Sequence, residues 1–372
     1  MRTVKLREIS ELKTGPFGTQ FSAREYVLEG TPVINVKNIG YGDIITVGLD
    51  YVGISTVERL ADHKLREGDI VFGRKGSVDR HCLITKGQDG WMQGSDCIRV
   101  RFTDSSVLPD FVSYYLLTDA VKTKINNSAV GSTMASLNTD ILGDIEINLP
   151  SYEEQSKIAT TLSAIDRKIR NNNSINDYLE QQMMTIFRFN FLQNVQSDWQ
   201  RLSLAILSEM YQPKTISSKE LVENGKYYVY GANGIIGKYN QYNHPDAEIA
   251  VACRGASCGS IQMTLPFSWI TGNAMVIKPT SDFPYKEYLY YYLLAKSPDY
   301  LCSGSAQPQL TRENLSLYTI TVPSKQQTDD FEEKAKRSRI LIINNQLENN
   351  RLISLRNWLL PMLMNGQATI QD

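Results

Sequence analysis

Hydrophobic positions along this chain change period twice. From Ile158 they recur in alternating steps of four and three: Ile158, Leu162, Ile165, Ile169, Leu179, Met183 and Ile186, with Asn172 and Asn176 on the intervening steps. Such a seam marks a helix that packs lengthwise on another helix. A second seam runs Phe331, Ala335, Ser338, Ile342, Asn345, Asn349, Leu352, Arg356, Leu359. Just upstream of each seam the period falls to two, over 145–149 and 318–322, which predicts two short strands. Pro150 and Pro323 end those strands. Ser151 with Glu154, and Ser324 with Gln327, then have capping-box spacing. The pattern predicts long helices over 151–190 and 324–365. Each would be on the order of 54 Å long for about 36 residues.

The boundary is written twice because the chain is an internal duplication. With Pro150 set on Pro323, Gly131-Ser132 falls on Gly304-Ser305, Leu137 on Leu310, Leu142 on Leu315 and Ile147 on Ile320. With small gaps, Tyr114-Tyr-Leu-Leu117 matches Tyr291-Tyr-Leu-Leu294, and Val71-Phe-Gly-Arg-Lys-Gly-Ser77 parallels Val251-Ala-Cys-Arg-Gly-Ala-Ser257. The stretch from Gly30 to Asn38 parallels Gly225 to Asn233, which pairs Asn38 with Asn233 and Arg74 with Arg254. Asparagine also lands on the same two steps of both seams. Asparagine is common on exposed helix faces, so two readings stand: solvated residues, or buried amides that set the register of a helix pair. The duplication favours an antiparallel pair, with Asn172 opposite Asn345. The fold class is α+β: a head at 1–150, a helix at 151–190, a second head at 191–323, a helix at 324–365 and a tail at 366–372. The second seam, with Ala335, Ser338 and Arg356, is poor for a self-sufficient pair and points to a partner protein.

Composition adds limits. The 372 residues are enough for two or three domains. No run of about 18 apolar residues is present, which predicts no membrane span. The first residues, Met-Arg-Thr-Val-Lys-Leu-Arg-Glu, predict no secretory leader. Five scattered cysteines without a Cys-x-x-Cys pair are expected to be reduced thiols in a cytoplasm. The net charge is −1. The heads are near neutral, with 17 Lys+Arg against 19 Asp+Glu in the first and 10 against 10 in the second. This excludes a uniformly basic coat, but not positive charge gathered on one face.

Catalytic constellations are missing. Gly231-Ala-Asn-Gly-Ile-Ile-Gly237-Lys238-Tyr239 resembles a phosphate loop but has five residues between its outer glycines, and Tyr239 stands where Ser or Thr would hold magnesium; a hairpin turn is the expected structure. Asp69 with Arg74-Lys75 lacks the second acid of a nuclease. Cys253 and Cys258 lack zinc partners, and His63, His81 and His244 stand alone. No adenine-methyltransferase motif is present.

Five stretches carry a resemblance that spans the chain. They are Thr14-Gly-Pro-Phe-Gly-Thr-Gln20 with Thr31-Pro-Val-Ile-Asn-Val-Lys-Asn38; Gly68-Asp-Ile-Val-Phe-Gly-Arg-Lys-Gly-Ser77; Leu149-Pro-Ser-Tyr-Glu-Glu-Gln-Ser-Lys-Ile158; and Leu355-Arg-Asn-Trp-Leu-Leu-Pro-Met-Leu-Met-Asn-Gly366. Together they resemble the specificity subunit of type I restriction–modification systems. The resemblance implies two target recognition domains, each reading half of a split, asymmetric DNA sequence, and an antiparallel coiled coil that sets the spacer. It implies two methyltransferase subunits docked on the helices, motor–nuclease subunits in the full complex, and no activity or cofactor in this chain. S-adenosylmethionine, magnesium and ATP would belong to the partners. A two-headed protein–protein scaffold, or an enzyme with an unrecognised site, would carry the same architecture.

Major-groove reading uses Arg, Lys, Asn and Gln. Loop candidates in the first head are Lys13, Gln20, Lys37, Asn38, Arg74, Lys75 and Arg80. The second head offers Lys214, Asn233, Lys238, Arg254, Asn273, Gln307, Gln309 and Arg312. Arg74→Ala and Arg254→Ala are each expected to weaken binding to one half-site. Titration against matched and unmatched duplexes checks this, since equal loss on every sequence would make them phosphate contacts.

Overall fold

The computed structural model describes residues 2–129, 135–304 and 307–370, so Gly131, Ser132 and Ser305 of the repeat alignment lie outside the described residues. The chain forms two compact units, Met1–Ile169 with Asn350–Asp372, and Arg170–Asn349. Among the described residues, no helix is long and apolar enough to cross a membrane.

In the first unit, a five-stranded sheet has the order Ser10–Thr14, Cys97–Phe102, Ile70–Gly73, His81–Leu83, Tyr41–Gly42. A four-stranded sheet (Tyr26–Val27, Asp50–Val52, Thr31–Ile34, Met92–Gln93) lies beside it in sequence, and Arg2–Lys5 pairs with Glu146–Leu149. The second unit repeats the plan. Its main sheet runs Ser208–Tyr211, Ala274–Pro279, Ile249–Ala252, Ile261–Met263; a three-stranded sheet follows; and Gln200–Ser203 pairs with Thr319–Val322. The Gly231–Tyr239 stretch is the expected hairpin: Gly231 pairs with Gly234 across an Ala232-Asn233 turn, and Gly234 has φ +85°.

The long helices run Tyr152–Arg188 and Lys325–Met364. The first is capped as expected: the Glu154 N–H donates to Ser151 Oγ at 3.3 Å and the Ser151 N–H to Glu154 Oε2 at 3.1 Å. In the second, the Gln327 N–H donates to Ser324 Oγ at 3.4 Å, and the Ser324 hydroxyl donates to Gln327 Oε1 at 2.7 Å.

Each unit closes its core on both helices. Ile158, Ala159 and Leu162 of one helix and Leu360, Leu363 and Met364 of the other join the first head's core. Met183 and Phe187 join Phe331 and Ala335 in the second. Phe187 is fully buried with Tyr288 and Phe331 at ring-centroid distances of 5.4 Å each. The sequence-matched tyrosines play matched parts: Tyr114 donates to Asp166 at 2.7 Å, which also takes Arg356 at 2.8 Å, and Tyr291 donates to Glu180 at 2.8 Å, which takes Arg339 at 2.6 Å.

Three of the four seam asparagines, Asn172, Asn176 and Asn349, are buried and Asn345 is half-buried, and their partners correct the expected register. Within the second unit, Asn172 Nδ2 donates to Asn349 Oδ1 at 2.9 Å and Asn345 Nδ2 to Asn176 Oδ1 at 2.9 Å. The pairing is antiparallel, but Asn172 faces Asn349, one helical turn from the expected Asn345. The reason is polar satisfaction. With Asn172 opposite Asn345, Asn176 would meet Leu341 and Asn349 would meet Lys168. The observed register pairs all four amides with each other.

The expectation of five reduced cysteines is also corrected. Cys258 and Cys302 form a disulfide, while Cys82, Cys97 and Cys253 are free and buried. The two loops meet because Gly259 packs so closely on Asp299 that a Cβ would fall 2.6 Å from the Asp299 Cα. Two cysteines 44 residues apart give no hint of this in the sequence.

Arg339 sits in a buried network: its Nη2 reaches Glu287 at 3.1 Å, its Nη1 reaches Glu180 at 2.6 Å, and its guanidinium lies 4.5 Å from the Tyr290 ring centroid. Burial disfavours the cation, but the Glu287 and Glu180 carboxylates outweigh it and hold the pKa above its ordinary value. Arg339→Met leaves Glu287 buried and uncompensated, and is expected to cost about 3–5 kcal/mol of second-unit stability in urea unfolding, with Glu287→Gln recovering part of it.

His81 is fully buried in the first unit, its Nε2 3.0 Å from Ser113 Oγ, and burial lowers its pKa from 6.5 to about 4. The folded pKa lies below the unfolded one, so the unfolded chain binds the extra proton between these values. The stabilisation is complete above about pH 6.5 and is lost as pH falls towards 4. His81→Gln is expected to flatten the fall in unfolding free energy between pH 7 and 5 by about 2 kcal/mol, as read in urea titrations.

Candidate nucleic-acid interface

Backbone hydrogen bonds gather several loops at one edge of each head's main sheet. In the first, the Gly15 N–H donates to the Cys97 carbonyl at 2.8 Å, Arg74 to Asp96 at 2.8 Å, Leu137 to Arg74 at 2.9 Å and Gly76 to Ala135 at 3.1 Å. Gly15 is required there: a Cβ would fall 1.9 Å from the Gly94 carbonyl oxygen. In the second, Cys253 donates to Asn273 at 2.9 Å, Leu310 to Cys253 at 2.9 Å and Gly255 to Pro308 at 3.1 Å. The two edges are the same construction.

That identity corrects both matched pairs. Arg74 and Cys253 occupy equivalent places, since each donates to the neighbouring strand's loop and accepts from the returning 137 or 310 segment. Lys75, not Arg74, is therefore the counterpart of Arg254. The isolated bridges agree, joining Lys75 to Ser136 and Arg254 to Gln309. Likewise the Gly94 N–H reaches the Ile34 carbonyl as the Thr271 N–H reaches Tyr230, which sets Asn35, not Val36, on Gly231 and slips the Asn38–Asn233 match by one, so that Lys37 falls on Asn233. The slip at Arg74 was invisible because Arg74-Lys-Gly-Ser77 and Arg254-Gly-Ala-Ser257 carry the same small and basic residue types.

Asn38 is not available for base reading. It is fully buried, its Nδ2 donating to the Ile45 carbonyl at 2.9 Å and its Oδ1 accepting from the Asn35 N–H at 3.2 Å. Lys13, Lys37 and Lys75 are tied to Asp62 (3.5 Å), Asp50 (2.9 Å) and Asp96 (3.2 Å). Gln20 is exposed, and Arg59 donates to its carbonyl. Arg74 and Arg80 have no carboxylate partner among the described residues. Their guanidinium carbons lie 5.2 Å from the Phe17 ring centroid and 5.4 Å from that of Tyr41. In the second unit Lys214, Asn233, Arg254, Asn273, Gln307, Gln309 and Arg312 are exposed. Lys238 lies on the hairpin with its ammonium 5.4 Å from the Tyr228 ring centroid. Arg254, Asn273 and Gln309 share the edge just described; Asn233 stands at a hairpin tip, and Arg312 opens a short helix.

Sequence reasoning missed the aromatic partners. Phe17 is 48% exposed and Tyr41 50%, and an aromatic between two glycines, as in Gly15-Pro-Phe-Gly18, was the available signal. The nuclease look-alike dissolves: Asp69 is buried and ion-paired to Arg101 at 2.6 Å. Among the described residues, no group of three or more His, Cys, Asp or Glu is placed to hold a metal ion. The long helices expose apolar side chains away from the seam: Ile175, Tyr178, Ile340 and Leu341 in the second unit, and Ile353, Leu355 and Trp358 in the first.

Comparison with known proteins gives a consistent result. The chain is 23% identical to the type I restriction enzyme MjaIX specificity subunit of Methanocaldococcus jannaschii, over 92% of this chain and 90% of that one. It is 22% identical to the HindI specificity subunit of Haemophilus influenzae, over 90% and 94%. Among solved structures, a type I restriction–modification S subunit from M. genitalium superposes with a TM-score of 0.66 at 20% identity, covering 97% of this chain and 95% of that one, which establishes the shared fold. The model of the type I restriction modification DNA specificity domain matches residues 1–181 and again 196–355, once for each copy of the repeat, and the chain belongs to that family.

Proposed function

We propose that this chain is the DNA sequence-recognition subunit of a type I restriction–modification complex. Each head reads one half of a bipartite, asymmetric target, and the paired helices act as the spacer element. The observation that carries the reading is the repeated sheet edge, built by the same hydrogen bonds in both heads and presenting amides and cations that pair with no carboxylate among the described residues: Arg74 and Arg80 in one, Arg254, Asn273 and Gln309 in the other. Such side chains match the donor and acceptor pattern of the major groove. Family membership favours this reading over a protein–protein scaffold.

Two methyltransferase subunits dock on the exposed apolar positions of the long helices, with Tyr178 and Trp358 as the largest anchors. Motor–nuclease subunits join the full complex. The chain acts in the cytoplasm and contributes no chemistry: S-adenosylmethionine, magnesium and ATP are bound by the partners. Its net charge of −1 argues that the isolated chain holds DNA weakly and gains positive surface from the partners.

Gel shifts are expected to show poor retention of duplex DNA by the chain alone and tight, strongly salt-dependent retention once it is assembled with its host's methyltransferase. Methylation sequencing of the host is expected to return one split, asymmetric motif. Tight specific binding by the lone chain would overturn the shared-charge account, and absence of a split motif would overturn the assignment.

A further inference from the structure

At the first head's edge, the two arginines without a carboxylate partner among the described residues lie against rings. Arg74 is fixed at both ends of its backbone unit, its N–H on Asp96 and its carbonyl under Leu137. Its Nε is buried without a hydrogen-bond partner among the described residues, and its guanidinium carbon lies 5.2 Å from the Phe17 ring centroid. Phe17 stands on a stiff loop: Gly15 is locked against Gly94, Pro16 restricts its own φ, and Gly18 takes φ +66°.

We propose that Phe17 is a positioning residue for Arg74, holding its guanidinium edge-out so that it reads a guanine in the first half-site; this rests on the DNA-reading function proposed above. A flexible arginine needs an anchor to lose its rotamer freedom before binding. A carboxylate would supply one, but it would occupy the N–H donors and cancel the charge, as Asp96 does for Lys75 and Asp50 for Lys37. A ring face attracts the cation and leaves the in-plane donors open. Those donors match guanine O6 and N7. Arg80 on Tyr41, and Lys238 on Tyr228 in the second head, repeat the device, whereas Arg254 touches no ring among the described residues.

The test uses the full chain assembled with its host's methyltransferase, in wild-type form and as Phe17→Leu, Phe17→Tyr and Arg74→Lys. Methylation sequencing reads the motif. Competition between a duplex of the wild-type motif and its single-base variants then reads discrimination. Phe17→Leu keeps bulk and loses the ring. It is expected to lower discrimination about fivefold at one G·C pair of one half-site, with the other half-site unchanged. Arg74→Lys should fail at the same base pair, and Phe17→Tyr should retain the wild-type preference. An unaltered motif in Phe17→Leu, or uniform weakening at every site, would overturn the positioning role. A wild-type complex that selects no split motif would instead overturn the underlying DNA-reading function.

Discussion

Neither head of this protein completes its hydrophobic core with its own strands. Each closes on side chains from both long helices, Leu162 with Leu363 in one unit and Phe187 with Phe331 in the other. A helix of 37 or 40 residues with a polar-rich seam has little reason to persist alone. Docked under a head, each helix gains the tertiary burial that a bare seam with Ser338 and Arg356 lacks. The sheet edges that carry the candidate base readers therefore stand on a support made from both copies of the duplication.

Polar groups at that support do the work of specifying it. A hydrophobic seam tolerates a shift of one turn, because one apolar residue replaces another. Amides in the seam resist such a shift, because one turn away Asn176 would meet Leu341 instead of Asn345. The Tyr114–Asp166–Arg356 and Tyr291–Glu180–Arg339 sets add direction, since each joins a head's helix to both long helices through a single carboxylate. Such groups add little net stability compared with apolar packing. Their consequence is that each head has one seat.

At the edges the same economy separates structure from reading. Cations held by aspartates, such as Lys37 and Lys75, spend their charge inside the protein. Cations held by aromatic faces keep it. Asn38 shows the opposite extreme, an amide consumed wholly in holding its own loop. One residue type thus serves two ends, and the neighbours decide which.

The duplication, the strand-to-helix boundaries, the α+β class and the two asparagine steps were legible in the chain, because period, proline and capping chemistry are local properties. The family was legible because its motifs are contiguous. Register was not: whether Asn172 meets Asn345 or Asn349 depends on which amides find partners across the seam, and that is a relation between segments some 170 residues apart in sequence. The equivalence of Lys75 with Arg254, the Cys258–Cys302 pairing and the ring beneath Arg74 were hidden for the same reason. The sequence by itself determined which elements form and that they form twice. The tertiary structure alone decided which side chains face each other, because hydrogen bonds and close packing between distant segments select one register among several that the local pattern allows equally.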